Sequence, residues 1–282
     1  MRQFPRVSLV IPSYNQGAFL ETAIKSMLDQ HYPDLELIVI DGGSSDHSVE
    51  IIRKYADRIK YWVSEKDRGQ SEAINKGFRI ATGKYINWIC SDDMLLQGAL
   101  YRLVSFLESD PEIDCVFGNA RIVNSRGDLI ESRREIPYDH LVTVYSMNHS
   151  LQPTALYRRE ILDRVGLLDE NLQYSMDHDL FLRMDAAGCR FGYINEMIAG
   201  YRYHSRSKGV LNPTKTLNRI RLGLTRKHGI RIQNRVLEFV FYLVLDGVMR
   251  IRRKWFKLLL HSEFSVIPLS WKIAKLDRLA KL

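Results

Sequence analysis

Short apolar runs rich in β-branched residues alternate with amphipathic stretches of helical period in the first third of the chain. The apolar runs, each too short for a helix, are residues 6–11, 35–40, 59–63 and 85–89. The amphipathic stretches between them are residues 18–28, 45–55 and 71–81, with Gly83 as the expected cap of the last. Continuous apolar runs are typical of buried parallel strands. The alternation therefore predicts an α/β fold, with a Rossmann-like, mostly parallel central sheet and helices on both faces.

Beyond Met94 the alternation of apolar runs and amphipathic stretches becomes less regular and predicts α+β elements packed on this sheet. Its expected elements are a helix at 99–108, a hairpin around 125–128, a short helix near Ile161 and a helix at 177–187 closed by Gly188. From Pro213 onward the residues are consistent with helix throughout, so Asn212-Pro213 is the predicted boundary. We expect a main domain at residues 1–212 and a basic, amphipathic helical extension at residues 213–282.

The composition narrows the class of protein. With 282 residues, 45% of them hydrophobic, the chain can bury a full core, and it fits one large α/β domain with an appendage. Its three cysteines, Cys90, Cys115 and Cys189, are far apart in sequence, which argues against a zinc site or a disulfide framework. The first residues hold no apolar stretch of signal-peptide length. We therefore expect a protein of the reducing cytoplasm.

Positive charge is concentrated in the C-terminal tail. The chain carries a net charge of +8, and residues 250–282 contain nine Lys or Arg residues against two acids. This distribution argues against a nucleic-acid groove across the main domain and for contact with an anionic surface. Residues 236–245 are nearly all apolar, but the run is too short to span a bilayer. We predict that residues 236–282 lie on anionic phospholipid; the alternative is a helix packed on the domain or on a dimer partner.

Two polar loops follow the first two predicted strands and would lie side by side if those strands are neighbours. They hold Pro12, Tyr14 and Asn15 in one and Asp41 and Gly42 in the other. Glycine lets the backbone approach a ligand, the tyrosine ring can stack on a base, and the aspartate can accept a hydrogen bond from an imide N–H such as that of uracil. The alternative is ordinary turn chemistry, because Asp-Gly and Ser-Asp also end strands and cap helices.

A pair of adjacent carboxylates follows the fourth predicted strand. Asp92 and Asp93 would face the crevice at the strand end, where oxygen ligands can hold Mg²⁺ or Mn²⁺ against a diphosphate. The alternative is that both acids cap the following helix. Two neighbouring carboxylates without a basic neighbour in sequence repel each other, however, and a cation relieves that repulsion. The pattern favours a metal site.

A third cluster opens the helix predicted at residues 177–187. Asp177 in its first turn could accept a proton from an acceptor hydroxyl, although a capping role is more typical of this position in the bare sequence. Further on, the stretch YRYHSRSKG is either a mobile phosphate clamp or a solvated loop. Within it His204 is a candidate metal or phosphate ligand, although a lone histidine is more often neither.

Taken in order, these clusters resemble the family 2 glycosyltransferases of GT-A fold over roughly residues 6–208. The stretches that carry the resemblance are VSLVIPSYNQGAFL, ELIVIDGGSSDHS, DRGQSEAINKGFRIATGKY, SDD and MDHDLFLR. Each motif alone is weak, but five with family-like order and spacing are specific. The resemblance implies a GT-A catalytic domain, with a nucleotide-binding half at about residues 1–93 and an acceptor-binding half at about residues 94–212.

The resemblance also implies roles for single residues. The residues implied to line the nucleotide site are Pro12, Tyr14, Asn15, Asp41, Asp67 and Gln70. Asp92 corresponds to the metal-binding acid of the family's D-x-D motif, and Asp177 corresponds to its catalytic base. The chain departs from the family pattern at Cys90, where many members have an acid, and at Met176, where they have Glu.

We therefore predict an inverting hexosyltransferase that depends on Mn²⁺ or Mg²⁺ and uses a nucleotide-diphosphate sugar, with UDP-sugar as the first choice. The expected acceptor is a hydroxyl of a saccharide or lipid-linked saccharide in cell-surface polysaccharide synthesis. That role predicts a cytoplasmic protein with peripheral contact at the inner face of the inner membrane. Two alternatives stay open: a sugar-phosphate nucleotidyltransferase, which should show a phosphate loop rich in glycine and arginine after strand one, and a non-catalytic scaffold of the same fold.

Overall fold

The computed structural model describes residues 4–146, 152–208, 222–229 and 235–261. The described residues form two compact units. The first takes in residues 4–120 and 152–201, and the second takes in residues 121–146 together with the described residues from Arg202 onward. The predicted boundary at Asn212-Pro213 and the tail after His261 lie outside the described residues.

The first unit is built on a parallel sheet that follows the predicted βαβ pattern. Its strands are β1 (Val7–Ser13), β2 (Leu35–Asp41), β3 (Tyr61–Ser64) and β4 (Tyr85–Trp88). The intervening helices are α1 (Gly17–Leu28), α2 (Ser48–Lys54) and α3 (Gln70–Ile80). The strands lie in the order β3-β2-β1-β4, and each neighbouring pair is parallel. The prediction of a parallel α/β core is confirmed.

Strand β1 is buried along its whole length because helices cover both of its faces. Leu9 belongs to the apolar core that Leu20 and Ile24 of α1 also join. On the opposite face, Val10 lies so close to α3 that a side chain at Gly77 would meet it at 2.4 Å. A strand buried on both faces needs apolar residues at successive positions, and this requirement explains the run VSLVI.

Strand β1 continues through Pro12, although the apolar run predicts an end at Ile11. β1 pairs with β2 from Val7 to Ser13, whereas its register with β4 covers only Val7 to Val10. Pro12 therefore lies beyond the part of β1 that has strand neighbours on both sides. A proline is tolerated there because its missing N–H leaves no ladder hydrogen bond unmade on the open side.

The remaining strands of the first unit extend the sheet, whereas the sequence pattern predicts material laid on it. They are β5 (Met94–Leu95), β6 (Cys115–Val123), β8 (Leu156–Arg158) and β9 (Phe191–Arg202). The order continues from β4 as β8-β6-β9-β5, with antiparallel pairing of β4 with β8, of β8 with β6 and of β9 with β5. Because β5 and β8 hold two and three residues, neither is long enough to show a strand period in the sequence.

The helices of this half lie where the sequence predicts them, but one predicted cap is wrong. They are α4 (Ala99–Ser109), α6 (Glu160–Val165) and α7 (Met176–Ala186). Gly188, just after α7, has a φ of 75°, as expected for a helix C-terminus. Gly83 is not a cap, because α3 is followed by Ala81 in an extended conformation. A side chain at Gly83 would lie 2.6 Å from the backbone nitrogen of Ser8, so this glycine permits a close approach to β1.

The second unit contains strand β7 (Leu129–Arg133) and helices α5 (His140–Ser146) and α8 (Arg235–His261). β7 pairs with β6 after the predicted hairpin turn, in which Gly127 has a φ of 93°. Helix α8 packs on α5, and Arg253 of α8 forms an ion pair at 2.5 Å with buried Glu135. Residues 222–228 are also helical. No helix in the described ranges is both long and apolar enough to cross a bilayer.

Candidate active site

The loops after β1 and β2 are joined by hydrogen bonds, as the sequence predicts. The backbone N–H of Asn15 donates to Ser44 Oγ at 2.8 Å, and Asn15 Oδ1 accepts from the backbone N–H of Ser45 at 2.9 Å. Asn15 adopts a left-handed conformation with a φ of 51°, which asparagine tolerates better than most residues. Beside it Tyr14 is 62% exposed and presents its ring to solvent, whereas Pro12 is buried.

Asp41 is buried at the centre of this turn, and its hydrogen bonds favour the turn-forming alternative. Its Oδ2 accepts from the backbone N–H groups of Gly43 and Ser44 at 3.2 and 2.8 Å, and from Ser64 Oγ at 2.7 Å. Its Oδ1 accepts from Ser44 Oγ at 2.6 Å. Four donors therefore spread the negative charge of this carboxylate and hold the loop in place.

Asp67 and Gln70 connect these loops with the loop after β4. A side chain at Gly42 would lie 2.7 Å from Asp67 Oδ2, so the glycine makes room for this carboxylate. Asp67 Oδ1 accepts from the backbone N–H of Gly69 at 2.8 Å, while burial raises the pKa of Asp67. Gln70, the first residue of α3, donates its side-chain N–H to Cys90 Sγ at 3.1 Å.

The loop after β4 brings three metal-ligating side chains together. One ligand atom each from Cys90, Asp92 and Asp93 lies within 4.8 Å of the other two. Asp93 is buried, and the other two side chains are half-buried. Carboxylate oxygens at this separation can bind one divalent cation, which also offsets their mutual repulsion. The donor set therefore fits Mn²⁺ or Mg²⁺ through its two carboxylates.

Two carboxylates at the start of α7 have different environments. Asp179 is fully buried and forms an ion pair at 2.7 Å with Arg183, one helical turn later. Arg183 also donates to the carbonyl oxygens of Val165 and Leu167, so this pair fixes the loop before α7. Asp177 is half-buried; desolvation raises its pKa, and backbone N–H groups of the first turn counteract that rise in part. Asp177 is thus the carboxylate of this pair that is suited to proton transfer.

Tyr201, which sequence reasoning missed, marks where these groups converge. Burial is the main cause that raises the pKa of its phenol, and the negative potential of Asp93, Asp92, Cys90 and Asp177 raises it further, in that order. β5 pairs with β9 so that Met94 lies opposite Gly200, which places Tyr201 beside the loop that ends at Asp93. The signal in the sequence is weak, since Tyr201 is a single aromatic residue at the end of an ordinary strand.

The stretch around His204 belongs to the second unit. Arg202 donates to the carbonyl oxygens of Asn124 and Ser125 at 3.2 and 2.9 Å, which gives it a structural role at the hairpin. His204 Nδ1 accepts from the backbone N–H of Arg206 at 3.3 Å. The assignment of His204 as a metal ligand stays a prediction.

The amino-acid sequence of the chain is similar to those of several curated proteins. An uncharacterised glycosyltransferase of Methanocaldococcus jannaschii is 28% identical over 210 residues, which cover 72% of each protein. The chondroitin synthase of Escherichia coli is 26% identical over 216 residues, which cover 74% of this chain and 31% of the synthase. Matches to uncharacterised glycosyltransferases of Rickettsia conorii and Rickettsia prowazekii span 37% and 58% of the lengths of those proteins.

Solved structures share the fold at low sequence identity. One is TarS 1–349 of S. aureus in complex with UDP-GlcNAc, with a TM-score of 0.64 and 15% sequence identity. The superposition covers 98% of this chain and 81% of the TarS chain. Another is the mannosyltransferase PcManGT of Pyrobaculum calidifontis in complex with GDP-Man and Mn²⁺, with a TM-score of 0.60 and 18% sequence identity. The superposition covers 100% of this chain and 82% of the PcManGT chain. These similarities establish the GT-A fold.

The sequence itself establishes the family. The sequence profile described as Glycosyl transferase family 2 matches residues 8–166, which is more than half of the chain. The matched range contains the four loops that hold Asn15, Asp41, Asp67 and Asp92. Asp177 and Tyr201 lie beyond it. The protein is a member of glycosyl transferase family 2.

Proposed function

We propose that this protein transfers one sugar from a nucleoside-diphosphate sugar to an acceptor hydroxyl, with inversion at the anomeric carbon. The observation that carries the proposal is the cluster of Cys90, Asp92 and Asp93, whose ligand atoms lie within 4.8 Å of one another. The charges of Asp92, Asp93 and Asp177 add to the effect of burial in raising the pKa of the Tyr201 phenol. An open α/β sheet binds ligands at the carboxyl ends of its strands, and Asp92 and Asp93 follow such an end. Structural neighbours in complex with UDP-GlcNAc and GDP-Man support a nucleotide sugar as donor, and UDP is our first choice.

The nucleotide site is assigned to the loops after β1, β2 and β3. Tyr14 exposes most of its ring, which suits stacking on a base, and Asn15 is fixed against Ser44 and Ser45. Asp67 is placed beside Gly42, where a hydrogen-bond acceptor can meet the nucleoside. The contribution of Asp41 is indirect, because its carboxylate holds the turn that carries Gly42.

Asp92 and Asp93 are the proposed ligands of Mn²⁺ or Mg²⁺, with His204 as a further candidate from the sequence. The fit rests on the donor set, since two carboxylates lie within 4.8 Å of each other and of the Cys90 sulfur. A cation bound there supplies positive charge against the leaving nucleoside diphosphate. PcManGT in complex with GDP-Man and Mn²⁺ supports a cation of this kind.

Asp177 is the proposed general base. It takes the proton of the acceptor hydroxyl while that oxygen attacks the anomeric carbon and the bond from this carbon to the diphosphate oxygen breaks. Its raised pKa strengthens it as a proton acceptor whenever it is ionised. Asp179, the neighbouring carboxylate, is held by Arg183 and is poorly placed to act as a nucleophile. This arrangement supports a single displacement, which inverts configuration.

The first test is calorimetric titration of UDP into the protein with and without Mn²⁺, repeated on the double variant Asp92→Ala, Asp93→Ala. We expect metal-dependent binding that the double variant loses. GDP is titrated in parallel to test the choice of nucleotide. If neither nucleotide binds the native protein with any metal, the transferase proposal fails and the scaffold alternative takes its place.

We also propose that α8 attaches the protein to an anionic lipid surface, which would bring a lipid-linked acceptor to the site. One face of α8 carries a row of exposed apolar side chains, which we call the α8 stripe. The stripe consists of Leu237, Val240, Val244, Val248, Ile251, Trp255 and Leu258. Tyr242 and Met249, which are buried, lie on the opposite face at the helical period of ~3.6 residues per turn.

Charge complementarity favours lipid over protein as the partner of the stripe. Lys254 lies on one side of it, Arg252 on the other side forms an ion pair with Asp139 at 2.7 Å, and basic residues continue toward the C-terminus. From Leu237 to Leu258 the stripe is ~31 Å long at ~1.5 Å per residue, ample for a helix that lies in the plane of the interface. Cations beside an apolar face are typical of helices that bind anionic headgroups.

Vesicle flotation tests this attachment. The native protein should float with phosphatidylglycerol-containing vesicles and remain below neutral phosphatidylcholine vesicles. The variant Val244→Glu, Ile251→Glu should stay at the bottom, while the charge-matched control Ser109→Glu, Ser132→Glu should float like the native protein. Equal behaviour of all three proteins would remove the lipid proposal, and a dimer in light scattering that only the stripe variant dissociates would replace lipid by a second copy.

A further inference from the structure

Cys90 places a sulfur atom in a cluster whose other ligand atoms are carboxylate oxygens. The residue follows β4 and precedes Asp92 by two positions. Its Sγ and one oxygen each of Asp92 and Asp93 all lie within 4.8 Å of one another. A sulfur atom and two carboxylate oxygens are therefore close enough together to be ligands of one cation.

The three cysteines differ in a way that singles out Cys90. Cys115 and Cys189 are buried, and burial raises the pKa of both thiols, to about 11 for Cys189. Such thiols are inert parts of a core. Cys90 is only half-buried, and its sulfur accepts a hydrogen bond from the Gln70 side chain at 3.1 Å. Its environment is polar and continuous with the donor site.

Sulfur changes which cation such a site prefers. Mg²⁺ is a hard ion that binds oxygen in nearly ideal octahedral geometry and gives up water reluctantly. Later ions of the first transition series bind thiolate far better, and Zn²⁺ and Co²⁺ do so readily. A site with one sulfur and two carboxylate ligands should therefore discriminate against Mg²⁺ more strongly than one built from carboxylates alone.

We propose that Cys90 is a direct sulfur ligand of the divalent cation in the donor site and that it shifts the metal preference of this protein from Mg²⁺ toward Co²⁺ and Zn²⁺. This inference deepens the proposed function and rests on it for the role of the bound ion. As the sulfur–metal bond forms, the thiol proton is released to solvent. Three protein ligands leave coordination positions open for the oxygens of a diphosphate.

Titration with Co²⁺ tests the sulfur ligand without relying on activity. Thiolate-bound Co²⁺ gives an intense sulfur-to-metal charge-transfer absorption in the near ultraviolet, which an all-oxygen site lacks. We expect this band in the native protein, its loss in Cys90→Ser and its retention in Cys189→Ala. Calorimetry run alongside reports whether Co²⁺ is bound. Bound Co²⁺ without the band in the native protein would overturn the proposal.

A metal-preference measurement with Cys90→Asp tests the second half of the proposal. Loss of even an outer partner of a metal site changes affinity by about 10- to 100-fold, so exchange of a direct ligand should be at least as large. We expect the ratio of Mg²⁺ affinity to Co²⁺ affinity, measured in the presence of UDP, to rise at least about tenfold in this variant. An unchanged ratio would contradict the inference. The native Co²⁺ spectrum remains decisive if the variant folds poorly.

The outcomes separate this inference from the proposed function. Metal-dependent UDP binding that Asp92→Ala, Asp93→Ala abolishes, with no sulfur band, would remove only the role of Cys90. A sulfur band without binding of UDP or GDP would keep the metal ligand and remove the donor assignment. Absence of both would remove both.

Discussion

The loops after β1 and β2 contain acidic residues similar to those of the loop after β4, but the carboxylates in the two regions have opposite electrostatic environments. In the first region, which we call the turn region (residues 13–15 and 41–46), four hydrogen bonds converge on the carboxylate of Asp41. In the second, the acidic region (residues 90–93 with Asp177), one carboxylate oxygen each of Asp92 and Asp93 lies within 4.8 Å of the Cys90 sulfur. The charges of all three acids add to the effect of burial in raising the pKa of Tyr201. The fold disperses charge in one region and concentrates it in the other.

This difference separates a structural role from a functional one. A carboxylate surrounded by donors stabilises the folded chain, so its removal should cost stability. Carboxylates crowded together repel each other and lower stability until a cation binds. Such a cost is expected where a site is organised for binding or catalysis. Substitutions in the two regions should therefore move stability and function in different directions.

The largest expected effect comes from Asp177→Asn in the acidic region. Loss of a general base should lower the rate of sugar transfer by about 10²- to 10⁴-fold. Donor binding should be unchanged, and the melting temperature should not fall, because the variant removes a poorly solvated charge. Single-turnover transfer and UDP calorimetry measure the two quantities. Asp163→Asn, an exposed change on α6, is the control, and full transfer by Asp177→Asn would refute the assignment.

Asp179→Asn, two residues away, should instead lower stability. Breaking a buried ion pair by removing one partner costs about 3–5 kcal/mol, and the partial exposure of Arg183 places this case at the lower end, near 3 kcal/mol. Urea unfolding monitored by circular dichroism measures the change. Transfer per folded molecule should stay close to native. A stable but inactive Asp179→Asn would move the base assignment from Asp177 to Asp179.

Asp92→Asn, Asp93→Asn should abolish the stabilisation by metal and nucleotide, because the change removes both proposed carboxylate ligands. With Mn²⁺ and UDP each at about 100 times its dissociation constant, the native protein should gain about 5.4 kcal/mol, about 2.7 kcal/mol from each ligand, and the variant should gain none. Thermal melts with and without these ligands measure both effects. A metal-free variant much less stable than the native protein would show that these acids act as structural caps.

Asp41→Asn in the turn region should lower stability by about 1–3 kcal/mol, since an amide cannot accept all four hydrogen bonds. UDP binding should weaken as a consequence of the disturbed turn. Denaturant unfolding gives the first quantity and calorimetry the second. If UDP binding is lost while stability is unchanged, Asp41 contacts the nucleotide directly and the contrast between the two regions fails.

The smallest effect concerns pH. Transfer requires ionised Asp177, so kcat/KM should fall about tenfold per pH unit below its pKa, which lies above that of an ordinary aspartate. Because the folded-state pKa is raised, this group contributes stability at low pH that is lost as pH rises through the folded pKa. As pH rises through this pKa, the rate of transfer therefore increases while the contribution of Asp177 to stability decreases. The measurement is the pH dependence of kcat/KM at acid pH. The decrease should appear in the native protein and be absent from the residual activity of Asp177→Asn.

The sequence predicted those parts of the fold that local pattern controls. The apolar runs that became β1 to β4 and the helices between them carry their own period, because burial on both faces demands apolar residues at consecutive positions. The hairpin around Gly127 and the cap at Gly188 were also predicted, since a positive φ selects glycine. The cap predicted at Gly83 is wrong because glycine also permits close packing, and only the neighbouring Ser8 shows which role applies.

By itself, the sequence determined the parallel core, the loops at its strand ends and the acids that those loops carry. The tertiary structure decided how each acid is used. It enclosed Asp41 in donors, tied Asp179 to Arg183 and left Asp177 desolvated near Tyr201. The same residue type can cap, pair or titrate, and the outcome depends on neighbours that strand pairing brings from distant parts of the chain. Tyr201 reaches the acidic region because β9 pairs with β5, a two-residue strand whose pattern is too short to read in a sequence.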